Sequence, residues 1–234
     1  MSQQREQGGS PQGGGPHPGG PHPGLTELIG TVARLRRPGG CPWDAEQTHA
    51  SLVQYLVEES WELIDAIETG SRDDLIEELG DVLYQVLFHA DIAALDPHEA
   101  FTIDDVARYA TRKMVSRHPH VFGDREASTA DDVVAFWDDL KASEKPQRTS
   151  VLDGIPLGMP ALALAQKVLG KAVKVGLDVP SAAAALPLAT EGDLGRELLA
   201  LVARARAEGW DAERALRGAI RDVSSEIRAV ETRE

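Results

Sequence analysis

Apolar residues recur every three or four positions along most of the chain, most regularly between residues 51 and 95. Leu52, Leu56, Leu63 and Ile67 form one stripe, and Leu75, Leu79, Val82, Val86 and Ala90 form a second. Both follow the 3.6-residue helical period. Thr69, Gly70 and Ser71 separate them. Gly70 suits the C′ position of a first helix. Ser71 suits the N-cap of a second, with Asp74 three residues on as its capping-box partner. The spacing predicts an antiparallel helical hairpin, and the rest of the chain is arranged around it.

Upstream, the pattern predicts a helix over 25–37, ended by Pro38, Gly39 and Gly40. Asp44 with Gln47 predicts a capping box in the turn that follows. Trp43, just ahead of it, reads either as a staple that packs the loop down or as a flat apolar surface for a base. Downstream, Asp96 and Pro97 break the hairpin, and Thr102 with Asp105 opens a helix over 103–117. The chain leaves that helix at Arg117-His118-Pro119, because the residue before a proline avoids the α region. Thr129 with Asp132 opens another helix, which carries Trp137 and Lys141. Further helices are predicted over about 160–175, 191–207 and 211–231.

These elements predict an all-α helical bundle with four segments. Residues 1–24 form a Gly-, Pro- and His-rich tail with a tandem Gly-Pro-His-Pro-Gly repeat, a composition that cannot build a core and is expected to be disordered. Residues 25–143 form the main domain, 144–158 a proline-punctuated linker, and 159–234 a shortened second helical segment. That segment holds a weak repeat of the first. Leu79–Leu83 can be laid on Leu194–Leu198, which matches Glu78 with Asp193 but sets Arg196 where Asp81 stands. A second copy of the hairpin would have lost its acids.

Composition narrows the class. The chain has 234 residues, 42% of them hydrophobic, enough for one or two packed domains. Its single cysteine, Cys41, cannot form an intrachain disulfide, which fits a reducing, cytoplasmic setting. No apolar run approaches the roughly 18 residues of a membrane span, and no secretory signal is evident. The formal net charge of −14 argues against stable nucleic-acid binding, which needs a basic face.

The acids carry the chemistry. Glu59 and Glu62 sit three apart on the first hairpin helix with Glu58 beside them; Glu78 and Asp81 sit three apart on the second, beside Glu77. Such pairs share a helix face. A turn centred near residue 70 sets Glu59 level with Asp81, and Glu62 level with Glu78. Two unit charges 5 Å apart repel by about 3 kcal/mol at an effective dielectric near 20. A divalent ion would offset that, and an all-oxygen site suits Mg²⁺ or Mn²⁺ rather than zinc. The alternative is two solvated acidic faces. Lys113, Arg117 and His118 form a cationic cluster suited to phosphate oxygens, or to the negative end of their own helix.

Taken together, Gly40-Cys41-Pro42-Trp43-Asp44, Glu46-Gln47-Thr48, Glu58-Glu59-x-x-Glu62, Glu77-Glu78-Leu79-Gly80-Asp81, Arg117-His118-Pro119-His120-Val121-Phe122 and Trp137-x-x-x-Lys141 resemble the MazG family. The likeness runs from about Leu25 to Asp178. The acidic pairs alone occur across a wider all-α nucleoside triphosphate pyrophosphatase superfamily; the other motifs narrow the match. The resemblance implies Mg²⁺-dependent cleavage of nucleoside triphosphates, canonical or not, to a monophosphate and pyrophosphate. It also implies a homodimer whose helical bundles form the site. By position, Glu59, Glu62, Glu78 and Asp81 would hold Mg²⁺, with Mn²⁺ a substitute, and Glu58 would help the attacking water. Lys113, Arg117, His118 and Lys141 would meet phosphate, and Trp43 the base. Family members often carry two complete copies, so the degenerate second one leaves a second reading: a weakly active helical module that binds nucleotide or metal. A di-iron bundle would need Glu-x-x-His on each of two helices, and Glu46-Gln47-Thr48-His49 is the one such motif noted, in a turn.

Overall fold

The structure is a computed structural model and describes residues 22–133, 136, 149–177 and 188–232. The expected tail as far as residue 21, Trp137, Lys141, the proposed boundary at 143 and the start of the linker lie outside the described residues, while Pro23 and Gly24, placed in the tail by composition, open the first helix because proline suits its first turn. No strand occurs among the described residues, so the fold is all-α as the periodicity predicts. The chain divides into two compact units between Ala127 and Ser128.

In the first unit, α1 spans Pro23–Arg36, α2 Pro42–Glu46, α3 Val53–Thr69, α4 Arg72–Ala94, α5 Ile103–Arg117 and α6 Pro119–Phe122. The hairpin α3–α4 is its longest packed pair. Its turn is set by two local devices. Asp74 N–H donates to Ser71 Oγ at 3.2 Å, and Ser71 N–H returns a bond to Asp74 Oδ2 at 2.7 Å. Gly70 does not take the left-handed conformation that a C′ glycine usually supplies; its φ is −79°. Glycine is needed there for space, since a Cβ would lie 2.7 Å from the Cα of Ala66.

The core is Val32, Leu52, Leu87 and Phe88, ringed by Leu28, Ile29, Tyr55, Tyr84, Ile92 and Ile103. Thus α4 buries Leu87, Phe88, Ala90 and Ala93, and much of the sequence stripe points outward. Ile67, Leu79 and Val86 are 64%, 50% and 39% exposed. Helix α4 is apolar on more than one face, and periodicity alone does not say which face meets α1. Helix α5 has no buried residue and leaves Tyr109, Met114 and Val115 exposed.

Above the core, Arg36 Nε and Arg37 Nη1 each donate to Asp91 Oδ2 at 2.8 Å, and the Arg36 guanidinium lies 4.9 Å over the Phe88 ring. Burial pushes the Asp91 carboxyl up, but the two arginines outweigh it and hold it below its ordinary range.

The predicted Asp44–Gln47 capping box is absent. Asp44 lies inside α2 and is buried, and Cys41 is the N-cap. Proline at the first helical position starts this turn early. The sequence reading also passes over α6, a single turn begun by Pro119 in the same way.

The second unit contains α7 (Ala161–Lys174), α8 (Glu191–Ala207) and α9 (Ala212–Glu231). Gln166 ties their ends together: its amide donates to Trp210 O at 2.9 Å, and its Oε1 accepts from Ala212 N–H at 3.2 Å. Gly209, at φ +73°, ends α8. Leu169, Ala200 and Val202 are buried. Helix α9 turns Glu213 and Arg217, paired at 3.7 Å, inward, and leaves Leu216, Ile220, Val223, Ile227 and Val230 exposed.

Candidate active site

Glu59 and Glu62 stand on α3, and Glu78 and Asp81 on α4. The turn at Gly70 and Ser71 fixes the relative height of the two helices, so it also fixes which acids meet. Glu59, Glu78 and Asp81 each offer a carboxylate oxygen to one centre, and these oxygens lie within 4.8 Å of one another. Glu62 is not one of the three, yet its charge acts on both Glu59 and Glu78, so it flanks them. Glu58 is exposed and acts on Glu59 from outside the cluster.

The electrostatics follow from the crowding. Burial raises the Glu59 carboxyl above its ordinary range, and Asp81, Glu62, Glu78 and Glu58 push it the same way. Burial also raises Glu78, with Glu62, Asp81, Glu77 and Asp74 adding to it. Glu78 Oε2 is shielded from solvent with no hydrogen-bond partner in the protein. A buried, unpartnered carboxylate oxygen aimed among other acids is costly. A hard divalent cation satisfies that oxygen and removes the repulsion at once, so this donor set fits Mg²⁺ or Mn²⁺.

The other predicted residues are spread more widely. Trp43 stands in α2, half exposed, with its ring edge-on to Tyr55 at 5.6 Å. Lys113 and Arg117 are half-buried on α5, and His118 caps α6 with its Nδ1 2.6 Å from Met114 O. Among the described residues, α5 packs on α4 and α6 and not on α3. Helix α5 thus meets the helix that carries Glu78 and Asp81 and not the one that carries Glu59 and Glu62.

Two polar contacts near the site escaped the sequence reading. Tyr84 Oη donates to Asp44 Oδ1 at 3.1 Å across 40 residues. Burial, then Asp44, pushes the Tyr84 hydroxyl up to about 12. The His49 and His89 rings stack at 5.0 Å with their Nδ1 atoms 2.8 Å apart. The sequence places His49 only in a Glu-x-x-His motif. In the second unit, the positions laid on the acidic pair are self-neutralised: Asp193 caps α8 through Thr190 and forms an ion pair with Arg196.

Comparison with known proteins bears on this site. Residues 47–122, which include all four acids, match the family model of the MazG nucleotide pyrophosphohydrolase domain. An uncharacterized 26.1 kDa protein of Streptomyces cacaoi is 49% identical over 88% of this chain and 82% of its own length. A nucleoside triphosphate pyrophosphohydrolase of Mycolicibacterium smegmatis is 45% identical over 74% of this chain and 54% of its own. The nucleoside triphosphate pyrophosphohydrolase/pyrophosphatase MazG of Thermotoga maritima is 47% identical over 65% and 58%. The chain thus spans little more than half of these two relatives with a named activity.

Proposed function

Because the chain belongs to the MazG nucleotide pyrophosphohydrolase family, we propose that it hydrolyses nucleoside triphosphates to a monophosphate and pyrophosphate at the α3–α4 acids. One observation carries this reading: three carboxylate oxygens, from Glu59, Glu78 and Asp81, converge within 4.8 Å inside the matched segment. Glu59, Glu62, Glu78 and Asp81 are the proposed holders of Mg²⁺. When bound, the ion neutralises phosphate charge and lowers the pKa of a water. Glu58, exposed next to the cluster, is the proposed acceptor of that water's proton. Trp43, Lys113, Arg117, His118 and Lys141 are the proposed substrate contacts.

The protein is proposed to work as a homodimer in the cytoplasm. One fact supports the dimer: both hairpin helices expose large apolar residues, among them Val57, Trp61, Leu79 and Leu83. No helix among the described residues is long and apolar enough to cross a membrane.

The test is product analysis with Mg²⁺ and a panel of common and damaged nucleoside triphosphates. Pyrophosphate is the expected first product, and orthophosphate in its place overturns the reading. Asp81→Asn should lower turnover at least a hundredfold, about 3 kcal/mol of barrier, with an unchanged helical circular-dichroism spectrum. Full activity in that variant removes Asp81 from the site. Tight nucleotide binding with no product over hours would select the binding-module reading.

A further inference from the structure

Two side-chain oxygens of α4 are shut off from solvent without a hydrogen-bond partner among the described residues: Glu78 Oε2 and Gln85 Oε1. Glu78 belongs to the acidic centre already described. Gln85 does not. It is 5% exposed in a helix whose other buried residues, Leu87, Phe88, Ala90 and Ala93, are all apolar. A buried carboxamide oxygen that accepts nothing lowers stability. Methionine or leucine would occupy such a position without that penalty.

Its place along the helix ties Gln85 to the acids. It is four residues after Asp81 and seven after Glu78, so the three share one stripe of α4. Glu78 and Asp81 converge with Glu59 of α3, so that stripe faces α3. Gln85 lies about 6 Å beyond Asp81 along the axis, on the side away from Gly70. Tyr55 lies equally far beyond Glu59 on α3. Gln85 therefore comes one helical turn from the acids, at the level of Tyr55. In a nucleotide whose phosphates meet those acids, the group next in line is the sugar.

The chemistry of the unmet atom narrows what satisfies it. A carboxamide oxygen accepts a hydrogen bond and offers none. Phosphate oxygens repel it, and the donors of a base differ from one base to the next. A sugar hydroxyl donates in every nucleotide. With the carboxamide turned over, so that its nitrogen takes the oxygen's place, the same hydroxyl accepts. The terminal torsion of glutamine is soft, so the group can swing to meet a ligand seated against the acids. We propose that Gln85 recognises the sugar of the bound nucleoside triphosphate, its carboxamide paired with the 3′-hydroxyl. The inference rests on the nucleotide-hydrolysing reading of the site. It adds a requirement that the acids cannot impose: an intact 3′-hydroxyl, which ribo- and deoxyribonucleotides share and 2′,3′-dideoxynucleotides lack.

The test removes each partner in turn. Isothermal calorimetry on the full chain with Mg²⁺ compares the α,β-methylene analogues of dATP and of 2′,3′-dideoxyATP, which cannot be cut at the α–β bridge. Wild type should bind the deoxy analogue about tenfold more tightly, the size of one good hydrogen bond. Gln85→Met, close in length and without a polar group, should bind the deoxy analogue only as well as wild type binds the dideoxy one. Its affinity for the dideoxy analogue should be unchanged. Its melting midpoint without nucleotide should equal or exceed that of wild type, since the unmet oxygen is gone. Equal wild-type affinities for the two analogues overturn the proposal before any variant is made. So does a Gln85→Met chain that keeps the tenfold preference. So does one that loses affinity for both analogues in step, the mark of an oxygen that only holds a structural water. Should Gln85→Met not fold, Gln85→Asn, which keeps the amide but withdraws it by one methylene, decides: it should lose most of the preference, and an undiminished one overturns the proposal. Pyrophosphate release from dATP is scored separately. A wild-type chain that prefers the 3′-hydroxyl but releases no pyrophosphate would refute hydrolysis and leave the role of Gln85 standing.

Discussion

At the scale of single residues, the cluster of Glu59, Glu62, Glu78 and Asp81 is a set of charges that resist one another. Glu59 and Glu78 hold protons more tightly in the folded chain than in the unfolded one. The sign of the consequence follows from linkage. A carboxyl raised on folding favours the folded state below its ordinary range and loses that advantage as pH rises through and above it. Protons and a divalent ion compete for the same oxygens. Added Mg²⁺ should therefore raise the unfolding midpoint more near pH 7.5 than near pH 5, where protons compete more strongly for these oxygens. Differential scanning fluorimetry at the two pH values measures this. An equal Mg²⁺ effect at both, or the same difference in Glu59→Gln/Glu78→Gln, would place the ion elsewhere.

At the scale of elements, the two devices of the α3–α4 turn predict opposite outcomes for two glycines. Gly70→Ala forces a Cβ to 2.7 Å from Ala66 Cα. The turn must open, and both thermal midpoint and Mg²⁺ affinity should fall. Gly80→Ala meets nothing within 4 Å in a helix interior, so it should gain about 0.5–1 kcal/mol, the ordinary helix preference of alanine. Thermal melts of the two variants beside the wild type check the pair, and a Gly70→Ala chain as stable as wild type would refute the crowding. The hairpin was legible in the sequence for the same reason that the turn is rigid: Ser71 and Asp74 act within four residues of each other, and local rules reach that far. The meeting of α3 acids with α4 acids was legible because one short turn dictates it. The outward Ile67 and Leu79 were not, since a stripe's period reveals its existence and not the surface it meets. Asp44 was misread as a cap because its real partner, Tyr84, lies 40 residues away, a separation at which no local pattern carries information.

At the scale of the whole molecule, both units leave large apolar side chains exposed, among them Leu79 and Leu83 in the first and Ile220 and Ile227 in the second. Monomeric soluble proteins rarely leave contiguous patches of this kind uncovered. On the homodimer proposal, sedimentation velocity at micromolar concentration should give twice the mass of the 25.2 kDa chain. Leu79→Glu/Leu83→Glu should return it to the monomer mass and abolish pyrophosphate release; a wild-type chain sedimenting at the monomer mass while fully active would refute the dimer. The stripe on α9 extends the point. Leu216, Ile220, Val223, Ile227 and Val230 alternate four and three residues apart, a 3.5-residue beat that matches a partner helix winding around it in a left-handed supercoil. A helix with such a seam keeps poor company with water when isolated. Handled at nanomolar levels in bare buffer, this polypeptide should desert to vessel walls and air–liquid boundaries, so that its specific rate sinks with dilution and returns when an inert carrier or fresh protein is supplied.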